Sequence, residues 1–81
     1  MKSLYTREYK IFIDLLKKYR KEKYITQKEL GKRLGIDQTY VSKYETLERR
    51  LDFIEFRNIC LKMGIDLFEF IEKFEKELKN R

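Results

Sequence analysis

Residues 25–45 read ITQKELGKRLGIDQTYVSKYE, and their pattern decides how the chain folds. Thr26 offers a side-chain oxygen where a helix must begin, and Glu29 follows at capping-box spacing. Leu30 and Leu34 recur at i and i+4 and give this segment one apolar side. Gly35 is a stop, because helices commonly end on a left-handed residue and glycine adopts that conformation without strain. Ile36 is expected to plug the turn with a single apolar side chain. Asp37 is a second N-cap, and the helix it opens turns Val41 and Tyr44 inward. Gly31 lies inside the first helix, where glycine costs ~1 kcal/mol relative to alanine. A close crossing against the second helix is the packing reason for it.

The second helix leaves Gln38, Thr39, Ser42 and Lys43 facing outward. They are polar and none is acidic. Glutamine can bond adenine N6 and N7, lysine can bond guanine O6 or N7, and a threonine methyl can meet a thymine methyl. Base readout is therefore expected from Gln38, Thr39 and Lys43. Gln27, Lys28, Lys32, Lys43, Arg49 and Arg50 suit phosphate, which positions a protein on DNA without specifying sequence. Two short helices in this arrangement form a helix-turn-helix, with the second helix as the one that enters the major groove.

Around this motif the chain is short and helical in character. Its 81 residues make one small domain, with no proline and 3 glycines. An all-α bundle of five helices is expected, at about 6–22, 27–34, 38–46, 53–63 and 67–79. In the first, Tyr9, Phe12, Ile13, Leu16 and Tyr19 form the inner stripe, and Thr6 is a cap. Asp52 caps the fourth helix, whose inner face is Phe53, Phe56, Ile59, Cys60 and Met63, with Gly64 as its stop. Asp66 caps the fifth. Leu67, Ile71, Phe74 and Leu78 make a heptad-like seam there, with Phe68 and Phe70 off it. So much apolar surface on a last helix predicts a homodimer interface built from Leu67, Phe70, Ile71, Phe74 and Leu78. The competing reading packs the extra phenylalanines on the first helix of the same chain.

Charge divides the chain. The net charge is +6 overall, with 14 Lys and Arg against 7 Asp and Glu in residues 1–50, and 6 against 7 in residues 51–81. A basic front and a near-neutral back fit a polyanion on one face and another partner on the other. Cys60 is the single cysteine and cannot form an internal disulfide, which fits a reducing cytoplasm. The opening residues MKSLYTREYK lack an apolar run, so no signal peptide is expected. No stretch approaches the ~20 apolar residues that a membrane span needs.

Taken together, Ile25-Thr26-Gln27, Leu30-Gly31, Leu34-Gly35-Ile36 and Val41-Ser42 with Glu45 resemble the phage-repressor/Cro-like helix-turn-helix family, often called XRE type. The resemblance covers about residues 12–72. Val41 to Glu45 with Glu48 to Asp52 is similar to a subgroup of bacterial and mobile-element regulators. The resemblance implies a lambda-repressor-like five-helix bundle, motif 26–45, acting on DNA in the bacterial cytoplasm and nucleoid. By resemblance, Gln27 binds a phosphate and braces the recognition helix, and Gln38 and Thr39 reach base edges. Tyr40, Ser42 and Lys43 contact bases or phosphates according to the member. Arg20 and Glu45 match a buried pair tying the first helix to the third. Tyr24 and Leu47 stand where the family has glycine. Leucine disfavours positive φ, so either the third helix runs on or its loop is remodelled.

The function expected from these residues is a sequence-specific transcriptional repressor or autoregulator, binding a palindromic operator as a homodimer. Controllers of restriction–modification or toxin–antitoxin operons are a sub-version. The alternative is a protein-interaction adaptor or antitoxin, which would lack the steep salt dependence of a phosphate-binding protein. With no histidine, one cysteine and no carboxylate pair set in an apolar pocket, an enzyme is not expected. Neither a cofactor, a metal nor a small-molecule ligand is expected.

Overall fold

The computed structural model describes residues 5–80. Residues 1–4, which open the stretch read above for a leader, and residue 81 lie outside them. Five helices follow in order: α1 Arg7–Glu22, α2 Gln27–Leu34, α3 Gln38–Glu45, α4 Phe53–Met63 and α5 Leu67–Asn80. Each begins on a side-chain oxygen that satisfies a backbone N–H left over at the helix start. Thr6 accepts from the Tyr9 N–H, Thr26 from Glu29, Asp37 from Thr39, Asp52 from Glu55 and Asp66 from Glu69. The reciprocal box expected at Thr26 is only half formed, because the Glu29 carboxylate accepts from Arg33 instead. The full box lies at α4, where Glu55 also accepts from the Asp52 N–H.

Four helix ends close in one way. The N–H groups of Ile25, Ile36, Glu48 and Ile65 donate to the carbonyls of Arg20, Gly31, Lys43 and Cys60. This closure needs a left-handed residue just before the donor. Gly35 and Gly64 supply it at φ 71°, and Tyr24 and Leu47 supply it at φ 57° and 68°. The third helix therefore neither runs on nor loses its turn; Leu47 takes the strained conformation. Leu47 packs against the core, whereas Tyr24 is 94% exposed and buries nothing. Tyr24→Gly should thus raise stability by about 1 kcal/mol, visible as a higher thermal midpoint. Leu47→Gly should show no gain, since it relieves strain but gives up packing. A lower midpoint for Tyr24→Gly would mean that the tyrosine ring makes a contact of its own.

The core forms where all five helices meet. Ile13, Leu15, Leu16, Leu30, Val41, Tyr44, Ile59 and Phe70 are fully or nearly fully buried in it. Aromatic edges join α1, α4 and α5: Phe12 stands edge-on to Phe56, Phe70 and Phe74. Tyr19 also contacts Phe70, at 5.3 Å between ring centres. Phe70 is 1% exposed, so it belongs to the core of the single chain and cannot face a partner. Two smaller expectations also fail. Ile36 does not plug its turn but lies 41% exposed, and Phe53, placed on the inner face of α4, is 58% exposed. At a helix's first residue no preceding turn covers the side chain, which leaves Phe53 outside.

Gly31 does have the packing reason its position implies. A Cβ there would lie 3.1 Å from the Ile36 carbonyl oxygen and 3.2 Å from both N and Cα of Gln38. The start of α3 is thus set down on the backbone of α2, and an added methyl would have to push it away. No helix among the described residues is long and apolar enough to cross a membrane.

Candidate nucleic-acid interface

Because α3 is short, its orientation must be held by its neighbours. Its inner side is anchored by Val41 and Tyr44, both fully buried. Its C-terminal residue, Glu45, is buried and accepts three hydrogen bonds from two side chains. Glu45 Oε2 accepts from Arg20 Nε at 2.7 Å, and Oε1 accepts from Arg20 Nη2 at 3.0 Å. Gln27 Nε2 donates to the same Oε1 at 2.8 Å. The remaining arm of Arg20, Nη1, donates to the Ile25 carbonyl at 2.8 Å. One guanidinium therefore ties α1, the turn after it and α3 together in a bidentate geometry, which Arg satisfies and Lys cannot. Arg20 and Glu45 stand in the places the resemblance implies, and Gln27 has the bracing geometry. A primary amide has two N–H groups, so Gln27 keeps one that Glu45 does not take.

With that side fixed, Gln38, Thr39 and Lys43 are exposed on the opposite side of α3, and Ser42 is half-buried. Lys28 is exposed at the start of α2, near Gln27. Asp37, which caps α3, accepts from the Thr39 backbone, and that bond holds its carboxyl below the ordinary carboxylate range.

Tyr40, Arg49 and Arg50 are more committed than their sequence positions suggest. The Tyr40 hydroxyl donates to Glu55 Oε2 at 3.0 Å. Arg49 pairs with the same carboxylate oxygen and lies 4.8 Å over the Tyr40 ring. Arg50 sits 4.4 Å over the Tyr9 ring, and the Tyr9 hydroxyl accepts from the Leu51 N–H at 3.0 Å. The loop after α3 is thus fastened to α1 and to α4. Glu55 was not among the residues expected at the site. Its three-residue spacing from Asp52 is the spacing of a capping box, a signal the sequence reading did not use, and nothing local points to its reach to Tyr40.

Away from this face, Cys60 is 1% exposed, and burial pushes its thiol up to about 12, so it is an inert part of the core. On α5, Leu67 and Phe74 are half-buried against the core, Leu78 is half-buried and Ile71 is 39% exposed.

The comparisons agree with this geometry. A family model described as helix-turn-helix matches residues 16–70. Control protein C.MunI from Mycoplasma sp. is 34% identical over 67 residues, spanning 82% of this chain and 90% of that protein. The solved structure of an XRE-family like protein from Pseudomonas syringae pv. tomato str. DC3000 superposes with a TM-score of 0.81 at 46% identity, over 86% of this chain and 85% of that one. The wild-type restriction–modification controller protein C.Esp1396I superposes with a TM-score of 0.83 at 27% identity, over 90% and 94% of the two chains. The match runs from inside α1 to the first turn of α5 with the two-helix motif at its centre, and the chain belongs to the XRE-type helix-turn-helix family of DNA-binding transcription regulators.

Proposed function

We propose that this regulator binds a palindromic operator as a homodimer, reading each half-site with Gln38, Thr39 and Lys43, and that it controls a restriction–modification operon. The observation that carries the reading is the exposed, acid-free edge of α3, Gln38 to Lys43, on a helix whose other side is clamped by Arg20, Gln27 and Glu45. Base readout by rigid side chains requires such a platform. Gln27, with its spare N–H, and Lys28 hold the adjacent phosphates, and Ser42, Arg49 and Arg50 supply secondary contacts in this reading. The operon assignment is supported by two relatives, one named a control protein and one a restriction–modification controller.

One recognition helix reads too few base pairs for operator-level specificity, whereas two copies reading half-sites about 34 Å apart do not have that limit. Of the α5 residues expected at the interface, Leu67, Ile71, Phe74 and Leu78 keep some exposure and Phe70 does not. More apolar surface lies beside them at the α4–α5 corner, where Leu61 is 64% and Phe68 81% exposed. Leu61 and Phe68 line one groove with Arg57 and Asp66. A second copy seated there by two-fold symmetry would cover both apolar side chains.

Selection of bound fragments from random DNA tests the reading. The expected product is a palindrome with half-sites about one helical turn apart. A single unrepeated site would overturn the homodimer, and no enriched sequence would overturn base readout. On the selected site, Gln38→Ala and Thr39→Ala should each weaken binding by about 1–3 kcal/mol and leave random-DNA binding nearly unchanged. Equal losses on both DNAs would remove these residues from base readout.

A further inference from the structure

We propose that Glu55 is a positioning residue for DNA recognition: it locks Tyr40 of α3 and Arg49 of the following loop into one unit against the DNA, and so raises the ratio of specific to non-specific binding. The inference rests on the reading of α3 as the base-reading helix.

The geometry is a closed triangle. Glu55 lies in the first turn of α4, and its Oε1 accepts from the Asp52 N–H at 2.9 Å, which fixes the carboxylate to the helix start. Its Oε2 takes the Tyr40 hydroxyl and the Arg49 guanidinium together. The third side is the stacking of Arg49 over the Tyr40 ring. Side chains from α3, the loop and α4 are thereby held by one oxygen.

Two chemical consequences follow. A phenol has one hydrogen to donate, and Tyr40 gives it to Glu55. Its hydroxyl can then only accept, so against DNA Tyr40 offers its ring and a lone pair but no donor to a phosphate or a base acceptor. Arg49 donates one N–H to Glu55 and retains others on a side chain that is 44% exposed. A long cation already held in one rotamer loses less freedom on binding than a free one. The cost is electrostatic. A carboxylate beside the DNA-binding helix cancels one cation, and non-specific affinity scales with the number of phosphates neutralised. Glu55 therefore favours alignment over general attraction. Changing it should move operator and random-DNA binding in opposite directions, which a plain helix cap would not do.

The test uses the full chain with the selected operator and with random-sequence duplex. Glu55→Gln keeps an acceptor for the Asp52 N–H and nearly the same volume while removing the charge. The expected result is about tenfold weaker operator binding with about two- to threefold tighter random-DNA binding. Glu55→Ala, checked for folding by circular dichroism, should be non-additive with Tyr40→Phe on the operator, because both remove the same contact. If operator and random-DNA binding fall in the same proportion, Glu55 only caps α4 and the inference is overturned. Full additivity with Tyr40→Phe overturns it too, since the hydroxyl would then act without Glu55. A wild-type protein that prefers no sequence defeats the DNA-reading proposal and takes this inference with it. A wild-type protein that selects its operator while both variants keep its specificity ratio defeats the role of Glu55 alone.

Discussion

Glu45→Ala should destabilise the protein by about 3–5 kcal/mol, the usual consequence of removing one partner from a buried ion pair. The Arg20 and Glu45 side chains are only 8% and 1% exposed, so water cannot replace the lost carboxylate at the guanidinium. Arg20 would keep the Ile25 carbonyl as a partner and lose two of its three hydrogen bonds, and Gln27 would lose its acceptor. A domain of this size has a total stability of roughly 4–12 kcal/mol, so the variant should be largely unfolded at moderate denaturant, with its thermal midpoint lowered by about 15–30 °C. The double variant Arg20→Met with Glu45→Leu should recover most of that loss, since apolar replacements of a buried pair are often neutral or better. It should not recover DNA affinity, because Gln27 no longer has anything to hold it. Denaturant titrations of both variants beside DNA-binding assays separate the two effects. A loss below about 1 kcal/mol for Glu45→Ala, the ordinary size of a point change, would mean that the pair is solvated in solution.

The difference between what the sequence disclosed and what it hid lies in the range of each interaction. Thr6, Thr26, Asp37, Asp52 and Asp66 act on backbone groups two or three residues away, so each helix start was legible from local spacing. Gly35 and Gly64 marked two helix ends for the same reason. The ends at Tyr24 and Leu47 carried no such mark. There the backbone takes a left-handed residue without a glycine, because the hydrogen bonds from Ile25 to Arg20 and from Glu48 to Lys43 outweigh the strain. On α5, periodicity alone could not choose between Phe68 and Phe70. They are two residues apart and so lie on opposite sides of the helix, and only the position of Phe12, Tyr19 and Phe56 decides which is buried. At the site, the resemblance supplied Arg20 and Glu45 as a pair across 25 positions, which spacing could not have done. Glu55 had no such help: its partner Tyr40 lies 15 positions earlier, and no repeating pattern links them.

If the proposed homodimer forms through the α4–α5 corner, Phe68→Asp should leave a monomer and weaken operator binding by about 100- to 10,000-fold, the size of the gain from joining two reading heads. The choice of residue follows from burial. Phe70→Asp would place a charge in the core at a position 1% exposed and unfold the protein, so its failure to bind would say nothing about an interface. Phe68 is 81% exposed, and an aspartate there disturbs no packing within the chain. The folded fraction and thermal midpoint should therefore change little. The new carboxylate would lie at the centre of the proposed contact, in the groove it shares with Leu61, Arg57 and Asp66. An aspartate there removes the largest exposed apolar side chain of the contact and would have to be desolvated for the two copies to close, which costs more than the ring it replaces. Each monomer would keep its α3 edge, so weak binding to random DNA should persist while the preference for a palindrome disappears. Sedimentation equilibrium gives the decisive reading. A Phe68→Asp protein that remains dimeric and keeps its operator affinity would move the interface off the α4–α5 corner, to the side of α5 that carries Phe74 and Leu78.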